Sequence, residues 1–455
     1  MRWPTRIGTA LLTLLPSLLF ATPTTAATWT LAQAWQQLDK HSALLAAERQ
    51  VNQRALGGRD AAADLGLPSV ALSGSYMQME KPLRLELDQP IDLGIPGFPA
   101  IELPAFDLTE RQIYRSSLTG SFPLYAGGRI EAAQRIKQAE YEASLQQLQI
   151  RRREQFNLLV QRYYSVVLAQ QLTQLRQQQI DARQTHLHHA SLLAKQGQIA
   201  EVERLNAQVA LDQAKVNGQA AQHQLTLASY ALDSLLQQPQ VQPQPYQAPL
   251  LLPSLASLQA QVGNQHPALL LFDAKQRQAR SQIDAERGRY QPSLGLFGSY
   301  SLLDDGSVLA ELEPEWFVGI RFSMPLFAND GRSGRLQAAK SAELEARYRR
   351  QQAKQDLLLL LQSQHQAMAQ ARYEYQAYNS TIALATENRR LRQLAFQQGL
   401  ATSLQLVDAD QSLTAAQLGQ AKAQYQYLVA RAQVLSLGGD FQPLLTDSAV
   451  KDIHQ

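Results

Sequence analysis

Two stretches of the chain, residues 129–196 and 335–398, contain neither glycine nor proline. At about 1.5 Å per residue, each predicts roughly 100 Å of unbroken helix, whereas ordinary helices run about three turns. Within the first stretch apolar side chains recur at steps of three and four, over Phe156, Leu159, Tyr163 and Val166 and then over Leu168, Leu172 and Leu175. Gln, Arg, Ala and Ser fill the remaining faces. A stripe this narrow belongs to coiled-coil packing rather than to a thick core. Each stretch stops at a glycine, Gly197 or Gly399, a residue suited to the left-handed turn that ends a helix. Return helices are expected at 200–236 and 402–437, so that each half of the chain is a long helical hairpin.

Ahead of each hairpin the period changes from 3.6 to 2. Tyr114, Ser116, Leu118, Gly120 and Phe122 share one face of an extended segment, with Arg115, Ser117, Thr119 and Ser121 on the other. Trp316, Val318, Ile320, Phe322 and Met324 alternate in the same way with Phe317, Gly319, Arg321 and Ser323. Val70, Leu72 and Tyr76, and then Leu294, Leu296 and Tyr300, continue the theme, which places strand pairs at about 68–124 and 292–326. Alternation over about ten residues is the pattern of a transmembrane barrel strand, and also of a soluble sheet with one wet face. Four strands cannot close a barrel, and an open sheet edge in lipid leaves N–H and C=O groups without partners. If these strands enter a membrane, several chains must therefore share one barrel; the pattern does not fix their number.

The two halves are copies of one unit. Pro68-Ser69-Val70-Ala71-Leu72-Ser73-Gly74-Ser75-Tyr76 recurs as Pro292-Ser293-Leu294-Gly295-Leu296-Phe297-Gly298-Ser299-Tyr300, and Gly197 recurs as Gly399. Long repeats of this kind indicate duplication. The expected organisation is a first repeat at 28–236, a Gln- and Pro-rich linker at 237–253, a second repeat at 254–440 and a peripheral tail at 441–455.

Composition narrows the function. Arg2 and Arg6 followed by an apolar run and Thr24-Thr25-Ala26-Ala27 read as a secretory signal peptide over 1–27. Past it, the richest apolar run, Leu357 to Leu361, is far short of the ~20 residues a membrane-spanning helix needs. A net charge of +3 argues against a broad nucleic-acid-binding surface. With no cysteine, disulfides, thiolate metal sites and an N-terminal lipidated cysteine are excluded. No Ser/His/Asp or paired-carboxylate constellation stands out, so no catalytic residue, cofactor site or metal site is assigned.

In order and spacing these elements resemble the TolC family of outer-membrane factors. Pro123-Leu124-Tyr125-Ala126-Gly127-Gly128-Arg129 is similar to that family's strand-to-helix junction, and the segments from Gly197 to Ala207 and from Gly399 to Ala409 are similar to its two hairpin tips. The resemblance implies a mainly α fold with transmembrane β: a homotrimer, each chain giving four strands to a twelve-stranded β-barrel in the outer-membrane lipid, continued by a helical tunnel into the periplasm. It implies an exit duct for efflux or type I secretion that docks a periplasmic adaptor and an energised inner-membrane transporter, with no cofactor. A periplasmic coiled-coil structural or adaptor protein is the alternative.

The resemblance also implies site residues. Adaptor docking falls on Gly197, Gln198, Ile199 and Ala200 and on Gly399, Leu400, Ala401 and Thr402. The carboxylates that ring the periplasmic entrance fall on Asp408 and Glu203, with Gln405 in place of a third acid. The family's arginine beside the tip falls on Ala401, so its closing salt link is absent. Three further features have two readings each. His186 and His189 share a helix face, as packed or solvated histidines or as a metal pair. Arg389, Arg390 and Arg392 either favour the helix C-terminus or pair with Glu201 or Glu203. The proline-rich loop from Met77 to Ile113 is a plain surface loop or a constriction over the barrel mouth, where acidic residues such as Asp304, Asp305 and Glu313 favour cations.

Overall fold

The computed structural model describes residues 28–85, 105–304, 306–327 and 329–447. The expected signal segment at 1–27, Asp305, the loop residues 86–104 and the last eight residues lie outside them.

Two helical hairpins dominate. In the first, α3 (Arg129–Lys195) turns at Gly197 into α4 (Glu201–Leu236). In the second, α7 (Arg332–Gln397) turns at Gly399 into α8 (Ser403–Gly438). Shorter helices brace them: α1 (Leu31–His41) and α2 (Ala43–Ala63) beside the first, α5 (Leu255–Gln265) and α6 (Pro267–Gly288) beside the second. The second long helix starts at Arg332 rather than at the expected Arg335. Gly331, in the left-handed region at φ +70°, ends the incoming chain, and the helix tolerates Gly334 in its first turn. A glycine near an end costs only about 1 kcal/mol relative to alanine, so it is no reliable stop.

The strands β1 (Ser69–Gln78), β2 (Gln112–Tyr125), β3 (Ser293–Leu303) and β4 (Trp316–Ser323) form one antiparallel sheet in the order β1-β2-β3-β4. The β2–β3 pair joins the two repeats. Register carries the alternation across the whole sheet. Leu72, Leu118, Tyr300 and Trp316 lie in one row, and Val70, Gly120, Gly298 and Val318 in another on the same face. That face is bare: Val70 and Val318 are each 69% exposed. The opposite face is polar, with Ser69 and Ser121 hydroxyls 2.8 Å apart, Ser73 and Ser117 hydroxyls 2.9 Å apart, and the Arg321 guanidinium 4.7 Å above the Phe297 ring. Among the described residues, no partner strand within the sheet covers the outer edges of β1 and β4.

The main core sits midway along the hairpins, where α1, α5, the linker and the tail wrap the long helices. Phe156, Leu159 and Tyr163 of α3 pack there with Trp35, Val262 and Tyr427. The stripe read from the sequence is thus widened into a core at this one level by added elements. The tail contributes to it, which corrects the expectation of a peripheral segment. Phe441 stacks on Phe156 at 4.2 Å, and Leu444 and Leu445 are buried. Phe441 stands just ahead of the short helix Gln442–Asp447 that carries Leu444 and Leu445, and the spacing of three to four brings all three to one side. The linker is held too, as Gln242–Pro243 pairs in parallel with Thr28–Trp29 and Tyr163 Oη donates to the Trp29 carbonyl at 2.6 Å.

Where β2 hands over to α3 the chain makes a close crossing with the end of α6. Gly127 has φ +66°, and a Cβ added there would fall 2.5 Å from the Gly288 carbonyl oxygen and 2.8 Å from Gln291 Cβ. The junction therefore needs glycine for both conformation and space.

Candidate functional site at the hairpin tips

The two tips are built alike. At the first, Gln198 N–H donates to the Leu193 carbonyl at 2.9 Å; at the second, Leu400 N–H donates to the Ala395 carbonyl at 2.8 Å. Gly197 and Gly399 sit at φ +73° and +70° with open space around them. This is the Schellman closure, in which a left-handed glycine lets the last carbonyls find donors. Ile199 and Ala401 turn inward onto a small apolar cluster of Ala190, Ala207, Phe396 and Leu406. Leu400 is 77% exposed, and Gly197, Gln198, Ala200, Gly399 and Thr402 are exposed with it.

The three expected entrance residues occupy different settings. Asp408 is exposed, about a turn and a half into α8. Glu203 is half-buried, and its Oε2 accepts from the Ser403 backbone N–H at 2.7 Å. It therefore caps the second return helix from the first hairpin, a favourable place for a carboxylate at a helix N-terminus. Gln405 completes a capping box: Thr402 Oγ1 accepts from Gln405 N–H at 3.3 Å and Gln405 Oε1 accepts from Thr402 N–H at 3.2 Å. Glu203 and Gln405 thus meet at one helix start, and Asp408 stands apart from both.

A polar cluster that the sequence reading passed over lies just above. Asp410 is buried between two arginines, with Arg183 Nη2 3.1 Å from Oδ2 and Arg389 Nε 2.8 Å from Oδ1. Arg183 Nη2 also donates to the Val407 carbonyl at 2.8 Å. Burial pulls the Arg183 guanidinium below its usual pKa, and Asp410 opposes that pull. One turn toward the tip, His186 Nε2 lies 2.6 Å from Ser403 Oγ, and its ring meets Phe396 edge-on at 4.6 Å. Burial, aided by Arg183 and His189, lowers the His186 pKa to about 4, so it is neutral at pH 7.

These contacts decide the readings of His186, Arg389 and Arg390. His186 is a packed histidine that joins the hairpins, and His189, which shares its helix face, is half-buried. Arg389 pairs with Asp410, not with Glu201 or Glu203, and Arg390 pairs with Glu387 on its own helix at 2.7 Å. The signal for Arg183 and His186 was present in the period. Steps of three and four beyond Leu175 land on Gln179, Arg183, His186 and Ala190, all buried. Hydrophobicity alone ends the stripe at Leu175, because its next positions are polar.

Paired long hairpins, a short sheet with an apolar outer face and matched glycine tips are the architecture of an outer-membrane channel subunit. Residues 34–237 and 258–440 match the outer membrane efflux protein family, and the chain belongs to that family of TolC-like channels. It is accordingly an outer-membrane protein whose helices extend into the periplasm. Three solved structures illustrate the shared fold. A membrane protein from Pseudomonas aeruginosa superposes with a TM-score of 0.75 at 17% identity, covering 90% of each chain. VceC from Vibrio cholerae gives 0.74 at 13% identity, over 90% of this chain and 96% of that one. The open state of the MtrE channel of Neisseria gonorrhoeae gives 0.72 at 18%, over 90% and 89%. Among curated protein sequences none matches significantly.

Proposed function

We propose that three copies of this chain close one twelve-stranded barrel and one helical tunnel, forming a passive exit duct for efflux or type I secretion. The observation that carries this reading is the four-stranded sheet: an apolar face with both outer edges unpaired within the sheet among the described residues. In lipid such edges need partners, and neighbouring copies supply them. Docking of a periplasmic adaptor (a membrane fusion protein) at Gly197 to Ala200 and Gly399 to Thr402, driven by an inner-membrane transporter, opens the duct. The duct itself performs no chemistry. A periplasmic coiled-coil protein would have no use for a bare apolar sheet, so the duct reading is preferred.

At the periplasmic entrance, three copies of the exposed Asp408 carboxylate converge and attract cations. Glu203 and Gln405 support the ring from the helix start that they share. Planar-bilayer recording tests both levels. Purified protein is expected to give discrete conductance steps, blocked by a trivalent cation on the periplasmic side. Asp408→Ala should weaken that block strongly. Glu313→Ala, at the far mouth where Glu313 lies 3.5 Å from Arg115, should not. A protein that never conducts would remove the duct; equal block in the wild type and Asp408→Ala would remove Asp408 from the entrance.

A further inference from the structure

The internal repeat lets the two halves of the sheet be compared position by position. With Pro68 laid on Pro292 and Pro123 on Pro325, each residue on the polar face of β1 and β2 has a counterpart on β3 and β4. In the first repeat Ser73 and Ser117 face each other across the ladder, their hydroxyls 2.9 Å apart. Their counterparts Phe297 and Gly319 are paired in the same register. The Phe297 ring lies over Gly319, where an added Cβ would fall 3.0 Å from the ring carbon Cζ. Arg321, the counterpart of Thr119, sets its guanidinium 4.7 Å from the centre of that ring. Phe317, the counterpart of Arg115, meets the same ring edge-on with centres 6.1 Å apart. Three large side chains therefore stand in line on the polar face. The residues beside them in the same rows are small: Ser121 next to Phe297, Gly295 next to Arg321 and Ser299 next to Phe317. The sheet does not require this stack, because its duplicate builds the same register from serines.

The cation in the stack is open to a ligand. Arg321 is exposed and, among the described residues, joins no carboxylate, whereas Arg115 on the same face lies 3.5 Å from Glu313. Stacking on a ring occupies one face of a guanidinium and leaves its in-plane N–H donors free, in a fork that matches a carboxylate or sulfonate. The stack also borders an open groove of about 520 Å³, lined among others by Asp64, Ser121, Arg129, Phe297 and Arg321. Arg129 donates Nε–H to the Ala126 carbonyl at 2.9 Å and likewise joins no carboxylate among the described residues. Two cations against one acid make the groove favour an anion, and its size suits a drug-sized molecule.

We propose that Arg321, Phe297 and Phe317 form a site on the wall of the barrel lumen for organic anions with a planar aromatic body, and that such anions are among the molecules the duct carries. This rests on the duct reading above, which turns the polar face of the sheet inward. The acid group of the ligand meets the N–H edge of Arg321. Its ring lies on the open face of that guanidinium, beside Phe317, which is 48% exposed. Phe297 holds Arg321 in place from the other side. Contacts this exposed bind weakly, as a wall that must release its cargo requires.

Planar-bilayer recording with naphthalene-2-sulfonate as the probe tests the site. The wild type is expected to show brief interruptions of the current, more frequent as the probe concentration rises. Methanesulfonate, which has the acid group without the ring, should be far less effective. Arg321→Gln is expected to raise the concentration needed by about tenfold or more, the loss of one charge-assisted contact. Phe317→Leu should bring naphthalene-2-sulfonate toward the level of methanesulfonate. Arg115→Gln, which removes a cation from the same face outside the stack, should respond as the wild type does. Equal response in the wild type and Arg321→Gln, equal action of the two sulfonates, or a loss in Arg115→Gln as large as in Arg321→Gln would overturn the proposal; the last result would mark a diffuse field rather than a site. If Arg321→Gln fails to assemble, Arg321→Lys keeps the charge without the planar fork and should still weaken the interruptions, and a wild-type response from it would count against the site. Conductance steps that ignore the probe would remove the site and leave the duct standing. Absence of any conductance would remove the duct, and the site with it.

Discussion

Asp410→Ala is expected to destabilise the protein by about 3–5 kcal/mol, the usual loss when one partner of a buried ion pair is removed. The side chains of Asp410 and Arg183 are 10% and 5% exposed, so the substitution leaves the Arg183 cation buried against only the Val407 carbonyl. Arg389, at 34% exposure, can turn its charge toward water and adds less to the loss. The cost lies in the stranded charge rather than in the pair itself. Replacing both partners with apolar side chains, as in Arg183→Met with Asp410→Leu, should therefore recover most of the stability. Denaturant unfolding of the detergent-solubilised protein, followed by helical signal, measures both variants. A single variant as stable as wild type, or a double variant no better than the single, would mean that the triad does not hold the hairpins together.

Gly127→Ala is expected to have an effect of similar size by a different route. The left-handed conformation costs an L-residue about 1–2 kcal/mol. The added Cβ must also displace the Gly288 carbonyl and Gln291, and overpacking of this kind costs about 1–3 kcal/mol more. Gly128→Ala isolates the first component, because Gly128 has φ +76° but open space around it. The difference between the two variants in unfolding midpoint, and in the amount of assembled protein recovered from the outer membrane, measures the crossing between the β2–α3 junction and the end of α6. Equal losses would show that the crossing relaxes freely.

The parts of the fold that could be read from the sequence are those carried by period and punctuation. Sixty or more residues without glycine or proline leave the backbone no reason to stop, and α3 and α7 run almost the full length of those stretches. Alternation marked both faces of β2 and β4, because period two has only one reading once a strand is accepted. What period could not convey was tertiary. The tail carries Phe441, Leu444 and Leu445 in too short a run to stand out, and only the core beside Phe156 gives them a purpose. Gly334 looked like a boundary although helix ends tolerate glycine.

At the tips, the capping box at Thr402 and Gln405 was open to inspection, since Thr-x-x-Gln before an apolar run is its signature. Asp410 was harder to read. A carboxylate on a return helix looks like a solvated residue until Arg183 is brought to it from far away in the chain, and pairing across hairpins leaves no local mark. For the same reason Glu203 could be placed near the entrance by motif, but not onto the Ser403 backbone N–H.

The most direct test of the central claim is to count the chains in the particle that leaves the outer membrane. Membranes are fractionated, the protein is extracted in detergent, and its mass is measured with the bound detergent subtracted. The expected result is a single species in the outer-membrane fraction with the mass of three 50.6 kDa chains, less any removed signal segment. A monomer or dimer recovered from the soluble periplasm would contradict it, because the open edges of β1 and β4 would then have no neighbouring strands to close a barrel.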